Sequence, residues 1–402
     1  MKALILGYGR SGEAAEALLY RSGFSVTVLD GDTTFPDGDF DVAVVSPGIA
    51  LTHPWVVEAN RRGISLKSEL QLGCEELKRQ GWKLLAVTGS KGKSSVVKVV
   101  ADAINLAGGY AVACGNYGVP VSEVALSSGA SGSSSSSAAR WAVVEVSSFQ
   151  LETTTLPPDA FEAAAILNLQ EDHLDRHGSI EAYHGLKRKL LSFAALNFVN
   201  DGVSSEHSSI RASEHLWTGS YFDNEILVGN AAMAVELMKV AGLDDAAIAR
   251  AFREFKPLPH RMNLVAEIDG VRYVDDSKAT SLAALVAGVK MASSGNRTIL
   301  LMAGGLPKGD DPKMAVPALT ERVKKVYLIG QSAKAFFAAW KGAVDCEICG
   351  TMDRAVGAAM REAEKGETVL LSPGTASFDQ FQSFGERGDA FARLVKEKGQ
   401  PK

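Results

Sequence analysis

The sequence has few cysteines, no long apolar run and no excess of basic residues. Its 402 residues include 4 cysteines, too few and too scattered for a disulfide framework. No apolar run approaches the roughly 18 residues of a membrane-spanning helix. The amino-terminal MKALILGYGR has only a short apolar run, so we expect no secretory signal. A net charge of −5 gives no electrostatic reason to expect nucleic acid or an anionic membrane as partner, and we predict a cytoplasmic protein.

Cys346 and Cys349 form a C-x-x-C pair. Such a pair can bind zinc or undergo redox chemistry, but no second pair and no histidine at metal-ligand spacing accompanies it. We interpret the pair as incidental to function.

Short β-branched runs alternate with amphipathic stretches, the pattern of an α/β protein with parallel sheets. The chain is too long for one core, and breaks at KRQGWK (78–83) and FKPLPHR (255–261) predict three domains. Their predicted bounds are 1–80, 81–257 and 258–402. The serine- and glycine-rich run 127–140 predicts a flexible surface loop. The runs predicted as strands include ALILG, SVTVLD, DVAVVS, LLAVTG, WAVVEV, AAAILN, TILLMAGG, KVYLIG and TVLLSPG.

The segment LLAVTGSKGKSSVVKVVADAI (84–104) predicts a strand, a tight turn and a helix. GSKGKSS is a shortened phosphate loop, because Val87 stands where the strict motif has its first glycine. Glycines let backbone N–H groups converge on phosphate oxygens at a helix N-terminus. Lys93 can then reach the β- and γ-phosphates, and Ser94 can offer its hydroxyl to Mg²⁺. The alternative is a plain β–α turn with a surface lysine, which the order strand, Gly-Lys-Ser, helix disfavours.

GYGRSG (7–12) is a G-x-G-x-x-G motif between a predicted strand and a predicted helix. The next strand ends at Asp30, close to the spacing expected for a ribose-binding acid. Alone, the motif suggests a nicotinamide or flavin enzyme. A sugar nucleotide could bind at the same turn. The third interpretation is a tight turn that binds no ligand.

Candidate metal ligands follow strands of the same predicted sheet as the phosphate loop. Glu145 ends WAVVEV, His173 follows in LNLQEDHLDR, and Lys187 lies on the next helix-like stretch. Strand-end carboxylates in α/β sheets face the crevice where ligands bind. Each could alone be a solvated charge or a satisfied histidine, but together they indicate a metal site.

Three polar loops follow apolar strands in the last third of the chain: VDDSKATS (274–281), GGLPKGDD (304–311) and SPGTASFDQF (372–381). Loops of this kind carry function more often than helices do. We predict that they form one site.

Together these motifs resemble the Mur ligases over nearly the whole chain. The resemblance implies three domains: a Rossmann-like UDP-binding domain, a P-loop-type ATPase domain with a mostly parallel sheet, and a Rossmann-like α/β domain. It implies a monomeric ligase that uses ATP and two Mg²⁺ ions, or Mn²⁺, and joins D-glutamate to UDP-N-acetylmuramoyl-L-alanine through an acyl phosphate. SFDQF followed by RG is similar to the D-glutamate-adding members. The motifs, in order, are VVSPGIALTHP, TGSKGKSS, GNYGVP, EVSSFQLE, LNLQEDHLDRH, LPHR, DDSKAT and LLSPGTASFDQFQSFGERG.

The resemblance also implies roles for individual residues, with UDP rather than a nicotinamide in the first domain. The UDP-substrate contacts are Ser11, Asp30, Ser46, Pro47, Gly48 and Asn116. The ATP contacts are Gly89, Ser90, Lys91, Gly92, Lys93, Ser94, Ser95, Asn230, Arg261 and Asp276. The metal ligands are Ser94, Glu145, His173 and a carbamylated Lys187. The D-glutamate contacts are Thr280, Lys308, Ser377, Phe378 and Phe384, and the catalytic residues are Lys93, His173, Lys187 and Lys278.

Three alternatives stay open. Another Mur-type or folylpolyglutamate-type ligase would take a different amino acid, against which SFDQF…RG and LPHR argue. A nicotinamide-dependent oxidoreductase would use GYGRSG but leaves Lys93, Glu145 and His173 without a role. A non-catalytic nucleotide-binding homologue has no need of both metal positions.

Overall fold

The computed structural model describes residues 1–130, 139–200, 214–293, 295 and 297–399. Within these residues, three sheets of four, five and six strands lie in two compact units. One unit comprises Met1–Asp223 and Leu227–Phe255, and the other comprises Asn224–Ile226 and Lys256–Lys402. The predicted α/β class with mostly parallel sheets is confirmed. The three-domain division stays a prediction, because the first two sheets belong to one unit.

The first sheet is parallel, with strand order β2-β1-β3-β4. Its central strands KALIL and VAVV are almost wholly buried, as expected for a sheet covered on both faces. Ser68 caps α3, the helix that leads to the second sheet, by accepting a hydrogen bond from the Gln71 backbone N–H at 3.0 Å. The elements are β1 Lys2–Leu6, α1 Arg10–Arg21, β2 Ser25–Leu29, β3 Val42–Val45, α2 Pro54–Arg61, β4 Ser65–Lys67 and α3 Glu69–Arg79.

The second sheet is also parallel, in the order β6-β7-β5-β8-β9, so the strand before the phosphate loop is central. Apolar side chains of β5, β7 and β8 share a core with α3 and α5. The strands and first helices are β5 Lys83–Thr88, α4 Lys93–Leu106, β6 Tyr110–Gly115, α5 Val121–Ala130, β7 Arg140–Glu145, α6 Ser148–Leu151 and β8 Phe161–Ile166. The remaining elements are α7 Leu174–His177, α8 Ile180–Lys189, β9 Ala194–Val199, α9 Val228–Val240 and α10 Asp245–Glu254.

The third sheet, in the other unit, has the order β10-β11-β15-β12-β13-β14 and is parallel except for the β10–β11 pair. Apolar clusters cover both of its faces. Its first elements are β10 Asn263–Ile268, β11 Val271–Asp275, α11 Leu282–Ala292, β12 Ile299–Gly304, α12 Val316–Arg322 and β13 Val323–Ile329. The others are α13 Ala333–Trp340, β14 Asp345–Gly350, α14 Met352–Glu362, β15 Thr368–Leu371 and α15 Phe384–Lys398.

The structure corrects the predicted surface loop 127–140 at both ends. Residues 127–130 continue α5, and Arg140 begins β7, while residues 131–138 lie outside the described part of the chain. Ser127 and Ser128 turn their hydroxyls back to the carbonyls of Glu123 and Val124, which explains how serines are accommodated in this helix. None of the helices in the described residues is long and apolar enough to cross a membrane.

The C-x-x-C pair lies on β14, with its two thiols on opposite faces of the sheet. Cys346 packs against one apolar cluster and Cys349 belongs to the other. Both are free, and burial raises the pKa of each thiol to about 11. Side chains on opposite faces cannot form a disulfide or bind one metal ion together.

Candidate active site

The phosphate loop joins β5 to α4 through two glycines with left-handed backbone angles. Gly89 has φ 149° and Gly92, which precedes α4, has φ 85°. A Cβ at Gly92 would collide with the side-chain amide of Asn230 in α9. Glycine alone adopts this positive φ readily and leaves room for Asn230, so the geometry of the turn explains the glycine at position 92. Asn230, predicted to contact ATP, lies directly against this loop.

Two lysine side chains meet at the carbonyl oxygen of Gly89 in the loop. Lys93 Nζ donates to the carbonyl oxygens of Gly89 at 2.8 Å and Ser90 at 3.2 Å. Lys187 Nζ, from α8, donates to the same Gly89 oxygen at 2.9 Å. Burial, reinforced by the nearby Lys93 charge, lowers the pKa of Lys187 to about 7. A large fraction of Lys187 is therefore a neutral amine near neutral pH.

Glu145 places a buried carboxylate beside the loop, because it ends β7 and pairs in register with Val87 of β5. Its Oε1 accepts a hydrogen bond from Asn116 Nδ2 at 2.6 Å. Its Oε2 is buried and has no hydrogen-bond partner among the residues that the structure describes. An orphaned carboxylate oxygen is costly in isolation but suits a hard divalent cation. Asn116, predicted as a substrate contact, thus orients Glu145 in this structure.

His173 stands at the start of α7, with φ 52°, a left-handed backbone. Its half-exposed ring packs on Phe149, with centroids 4.8 Å apart, and faces Tyr183 at 6.2 Å. Ser94 lies in the first turn of α4. Within the described residues no three His, Cys, Asp or Glu side chains form a group that could hold a metal. A cation at Glu145 would therefore need other ligands, such as the Ser94 hydroxyl, a modified Lys187 or substrate oxygens.

Sequence reasoning missed two residues that fix the loop: Asn168, just after strand β8, and Tyr183, on helix α8. The side-chain amide of Asn168 makes two hydrogen bonds of 2.9 Å to the backbone of Lys91. Its Oδ1 accepts from the Lys91 N–H, and its Nδ2 donates to the Lys91 carbonyl oxygen. Tyr183 places its hydroxyl 3.1 Å from Ser90 Oγ. The available signal for Asn168 was a polar residue just after a strand next to β5.

The predicted UDP contacts of the first sheet gather around the turn after β1. The Tyr8 N–H donates to Asp30 Oδ1 at 3.2 Å, and Ser46 Oγ donates to the Gly7 oxygen at 2.6 Å. A Cβ at Gly12 would lie 2.5 Å from that same oxygen, so glycine lets α1 approach the turn. Ser11 lies in the first turn of α1, and Pro47 and Gly48 follow Ser46.

Arg176 connects the second sheet to this first-sheet site. Its guanidinium pairs with Glu152 at 2.6 Å and donates to the Ile49 carbonyl at 2.8 Å. The arginine therefore supports the segment that carries Ser46, Pro47 and Gly48. Arg176 lies within the motif LNLQEDHLDRH, but the sequence indicated no role for it.

In the other unit, the three predicted loops follow β11, β15 and β12, which are neighbours in the sheet. The buried Arg387 ties two of them together: Nη2 donates to the carbonyls of Ser277 at 2.9 Å and Thr375 at 3.1 Å, and Nη1 to that of Ala376 at 3.2 Å. Burial lowers the pKa of Arg387 to about 10, so it stays charged at neutral pH. The sequence showed it only as part of the RG ending.

The same unit brings together the predicted nucleotide contacts Arg261 and Asp276. Asp276 Oδ2 accepts from Ser372 Oγ at 2.9 Å, and burial raises the pKa of Asp276 to about 7. The Arg261 N–H donates to Asn263 Oδ1 at 3.1 Å. His260, the residue before Arg261, forms a hydrogen bond of 2.7 Å with Asp275, the residue before Asp276. These contacts fix the turn that carries Arg261.

Three cations, Lys278, Lys308 and Arg261, interact in this unit, beside some of the predicted amino-acid contacts. Burial lowers the pKa of Lys278, and the charges of Arg261 and Lys308 lower it further. Lys278 Nζ lies 3.9 Å from the centroid of the Phe384 ring. Thr280 is half-buried, Ser377 is buried and Phe378 is 68% exposed. Such a region suits a ligand with more than one carboxylate.

Comparisons with known proteins agree with this geometry. Residues 87–216 match the family model of the Mur ligase middle domain, and residues 260–375 match that of the Mur ligase, glutamate ligase domain. A UDP-N-acetylmuramoylalanine–D-glutamate ligase from Chlamydia abortus is 33% identical over 98% of this chain and 98% of its own length. The chain belongs to the Mur ligase family.

The Mur ligase assignment extends over the whole chain. A relative of the same name from Acidobacterium capsulatum is 32% identical over 98% of this chain and 96% of its own. The structure of UDP-N-acetylmuramate-alanine ligase MurC from Thermotoga maritima aligns with a TM-score of 0.58, at 16% identity, over 99% of this chain and 100% of that one. It shows the shared fold. The resemblance seen in the motifs is confirmed, and the protein is an enzyme of an ATP-dependent ligase family.

Proposed function

We propose that this Mur ligase joins D-glutamate to UDP-N-acetylmuramoyl-L-alanine, with conversion of ATP to ADP and phosphate, in the cytoplasmic synthesis of peptidoglycan precursors. It acts as a monomer. The observation that carries the proposal is the nearly full-length similarity to relatives whose name states these two compounds. The phosphate loop and the buried Glu145 oxygen beside it support the ATP-dependent part.

The reaction has two steps. A carboxylate oxygen of the muramoyl substrate attacks the γ-phosphorus of ATP. The bond between this phosphorus and the β,γ-bridging oxygen breaks, which releases ADP and forms an acyl phosphate. The neutral amine of D-glutamate then attacks the acyl carbon, loses a proton, and releases phosphate. The first step brings two anions together, at about 4 kcal/mol for each unit-charge pair 4 Å apart at an effective dielectric of 20. Lys93, already at the loop, offsets this repulsion.

The residues present fit a divalent cation in the second sheet. Ser94, Glu145, His173 and a modified Lys187 would hold Mg²⁺, for which Mn²⁺ can substitute. The ion would neutralise charge that develops on the transferred phosphoryl group. The orphaned Glu145 oxygen is the feature that supports this assignment.

Lys187 has the properties that carbamylation requires. A neutral amine adds to carbon dioxide, forms an N–C bond and loses a proton, and its pKa of about 7 supplies that neutral form. The remaining N–H can keep donating to the Gly89 oxygen. The new carboxylate would turn repulsion from Lys93 into attraction and provide a metal ligand.

The remaining assignments are part of the same proposal. D-Glutamate is recognised by Thr280, Lys308, Ser377, Phe378 and Phe384, with Lys278 beside them, because a dicarboxylate needs cations and donors. The UDP part is bound by Ser11, Asp30, Ser46, Pro47 and Gly48. Asn230, Arg261 and Asp276 contact ATP.

Isotope transfer tests the chemistry directly. Muramoyl substrate with ¹⁸O in its carboxylate should give released phosphate that contains one ¹⁸O atom per turnover, since the attacking oxygen leaves with the phosphate. Phosphate free of ¹⁸O would contradict the acyl phosphate. The Lys93→Ala variant, which should release no phosphate, is the control for contaminating ATPases.

A further inference from the structure

A cavity of about 620 Å³ lies apart from the sites described above. It is formed where the ends of α1, α3 and α5 meet the start of β7, and its lining is Arg21, Ser22, Glu76, Arg79, Gln80, Ser128 and Arg140. Gln80 and Arg140 precede or begin strands β5 and β7, whereas the phosphate loop and Glu145 lie at their other ends. At about 3.3 Å per residue, six-residue strands separate the two places by roughly 15–20 Å.

The lining is strongly cationic. Three guanidinium groups face the cavity, and Glu76 is the one carboxylate among the described residues that line it. That carboxylate is already engaged, because Arg79 binds it at 2.7 Å and Arg21 at 3.1 Å. Arg79 lowers the pKa of Glu76, so the group is ionised at neutral pH. The lining therefore has a net charge of +2.

Arg140 is the best placed of the three arginines to bind a ligand. Its Nη2 donates to the Gln80 carbonyl at 2.6 Å, and its guanidinium carbon lies 5.1 Å from the Trp82 ring. Within the described part of the chain it has no carboxylate partner. A guanidinium has five N–H donors in a planar fork, so Nε and Nη1 of Arg140 are available to an anion. The buried Trp82 holds the fork in place.

We propose that this cavity binds a small phosphorylated compound at a site separate from the phosphate loop. Arginine forks match phosphate oxygens in pairs, and a doubly charged phosphate group balances the net charge of the lining. The volume is that of a typical small-molecule site. Because α1 belongs to the first sheet and β7 to the second, the bound anion would hold these parts of the unit together.

Pyrophosphate is the probe, titrated by calorimetry at fixed ionic strength into the Lys93→Ala protein, in which the phosphate loop is weakened. We expect a site whose affinity for pyrophosphate depends on Arg140. Adding Arg140→Gln should weaken binding by about ten- to a hundredfold, the effect of losing a charge-assisted hydrogen-bonded pair. Adding Arg250→Gln, which removes an exposed arginine paired with Glu254 on α10, should leave the affinity unchanged.

Arg79→Gln provides a second test should Arg140→Gln fail to fold, because the Arg79 side chain is 74% exposed. It should also weaken pyrophosphate binding. Unchanged affinity in both folded variants, or no binding to Lys93→Ala protein, would overturn the proposal. Citrate binding as tight as pyrophosphate binding would overturn the assignment to phosphate.

Discussion

The chemistry at the phosphate loop depends on how single side chains are charged. Lys93 and Lys187 share one carbonyl acceptor, and repulsion between two cations so close favours the neutral form of one of them. Burial makes Lys187 that residue. In the proposed site, a carbamate on Lys187 would complete the set of metal ligands.

Lys187→Ala should lower activity by about a hundredfold or more if its carbamate is the metal ligand that we propose. Formate or acetate should restore part of that activity by occupying the place of the carbamate. Arg188→Ala, an exposed cation one residue along α8, should be active and insensitive to these acids. The measurement is phosphate release with and without the carboxylate. A Lys187→Ala protein as active as its parent would remove this residue from the site.

The sequence and the structure suggest different roles for Asn116, a contact to the substrate and the orientation of Glu145. If it acts by orienting Glu145, Asn116→Ala should raise the Mg²⁺ concentration for half-maximal activity about ten- to a hundredfold. The KM for the muramoyl substrate should change much less. Asn60→Ala, on the exposed side of α2, is the control. A raised KM with unchanged Mg²⁺ dependence would favour the substrate contact predicted from the sequence instead.

The residues that the sequence identified are those next to a local signal. Lys93 and Ser94 follow a glycine turn, and Glu145 ends an apolar strand. Asn168 and Arg387 were missed because their partners are distant in sequence: Asn168 lies 77 residues from Lys91, and Arg387 lies 110 from Ser277. Only the folded chain brings such pairs together. The sequence could show that Asn168 follows a strand, but it could not show which residue Asn168 or Arg387 contacts.

At the level of elements, the strands missing from the sequence prediction are mostly edge strands. β4, β6, β9, β10 and β14 each end a sheet in the described residues. The interior strand β11 was predicted only as the apolar strand before the loop VDDSKATS. An edge strand is covered less fully, so its apolar run is shorter or interrupted by polar residues. Tyr110 of β6 is 53% exposed and Ile348 of β14 is 48% exposed. Most interior strands, with unbroken apolar runs, were predicted from sequence.

The junction of α3 and α5 contains a buried acid whose ionisation should affect stability. Glu69 starts α3, and its Oε1 accepts from the Ser122 N–H in the first turn of α5 at 2.6 Å. Burial raises the pKa of Glu69 from 4.5 to about 7. The folded state therefore binds more protons than the unfolded state between these values, and the free energy of unfolding falls as pH rises through that window.

Glu69→Gln should remove this pH dependence while keeping the acceptor for Ser122. Relative to the parent, the variant should gain up to about 3 kcal/mol in free energy of unfolding between pH 5 and pH 8. Urea unfolding at the two pH values measures it. Glu75→Gln, an exposed acid on the same helix, should show no such gain. Parallel pH profiles for Glu69→Gln and the parent would contradict the buried, protonated carboxyl.

Across the whole molecule, many of the candidate residues follow the carboxyl ends of parallel strands, in each of the three sheets. Lys187, Asn230 and Phe384 lie on helices instead. Gly7 and Ser46 follow β1 and β3, the phosphate loop follows β5, and Asp276 follows β11. The sequence predicted this much, because strand ends can be recognised locally. The cavity lined by Arg21, Arg79 and Arg140 lies at the amino ends of β5 and β7 in the second sheet, where no sequence motif marks it.

The central claim is that this Mur ligase activates the muramoyl carboxylate and adds D-glutamate to it. The most direct test is phosphate release with Mg·ATP and UDP-N-acetylmuramoyl-L-alanine, comparing D-glutamate with L-glutamate, L-alanine and meso-diaminopimelate. We expect release with D-glutamate alone and a product heavier by one glutamyl residue. Release with another of these amino acids and not with D-glutamate would contradict the specificity, and release with none would contradict the ligase reaction itself.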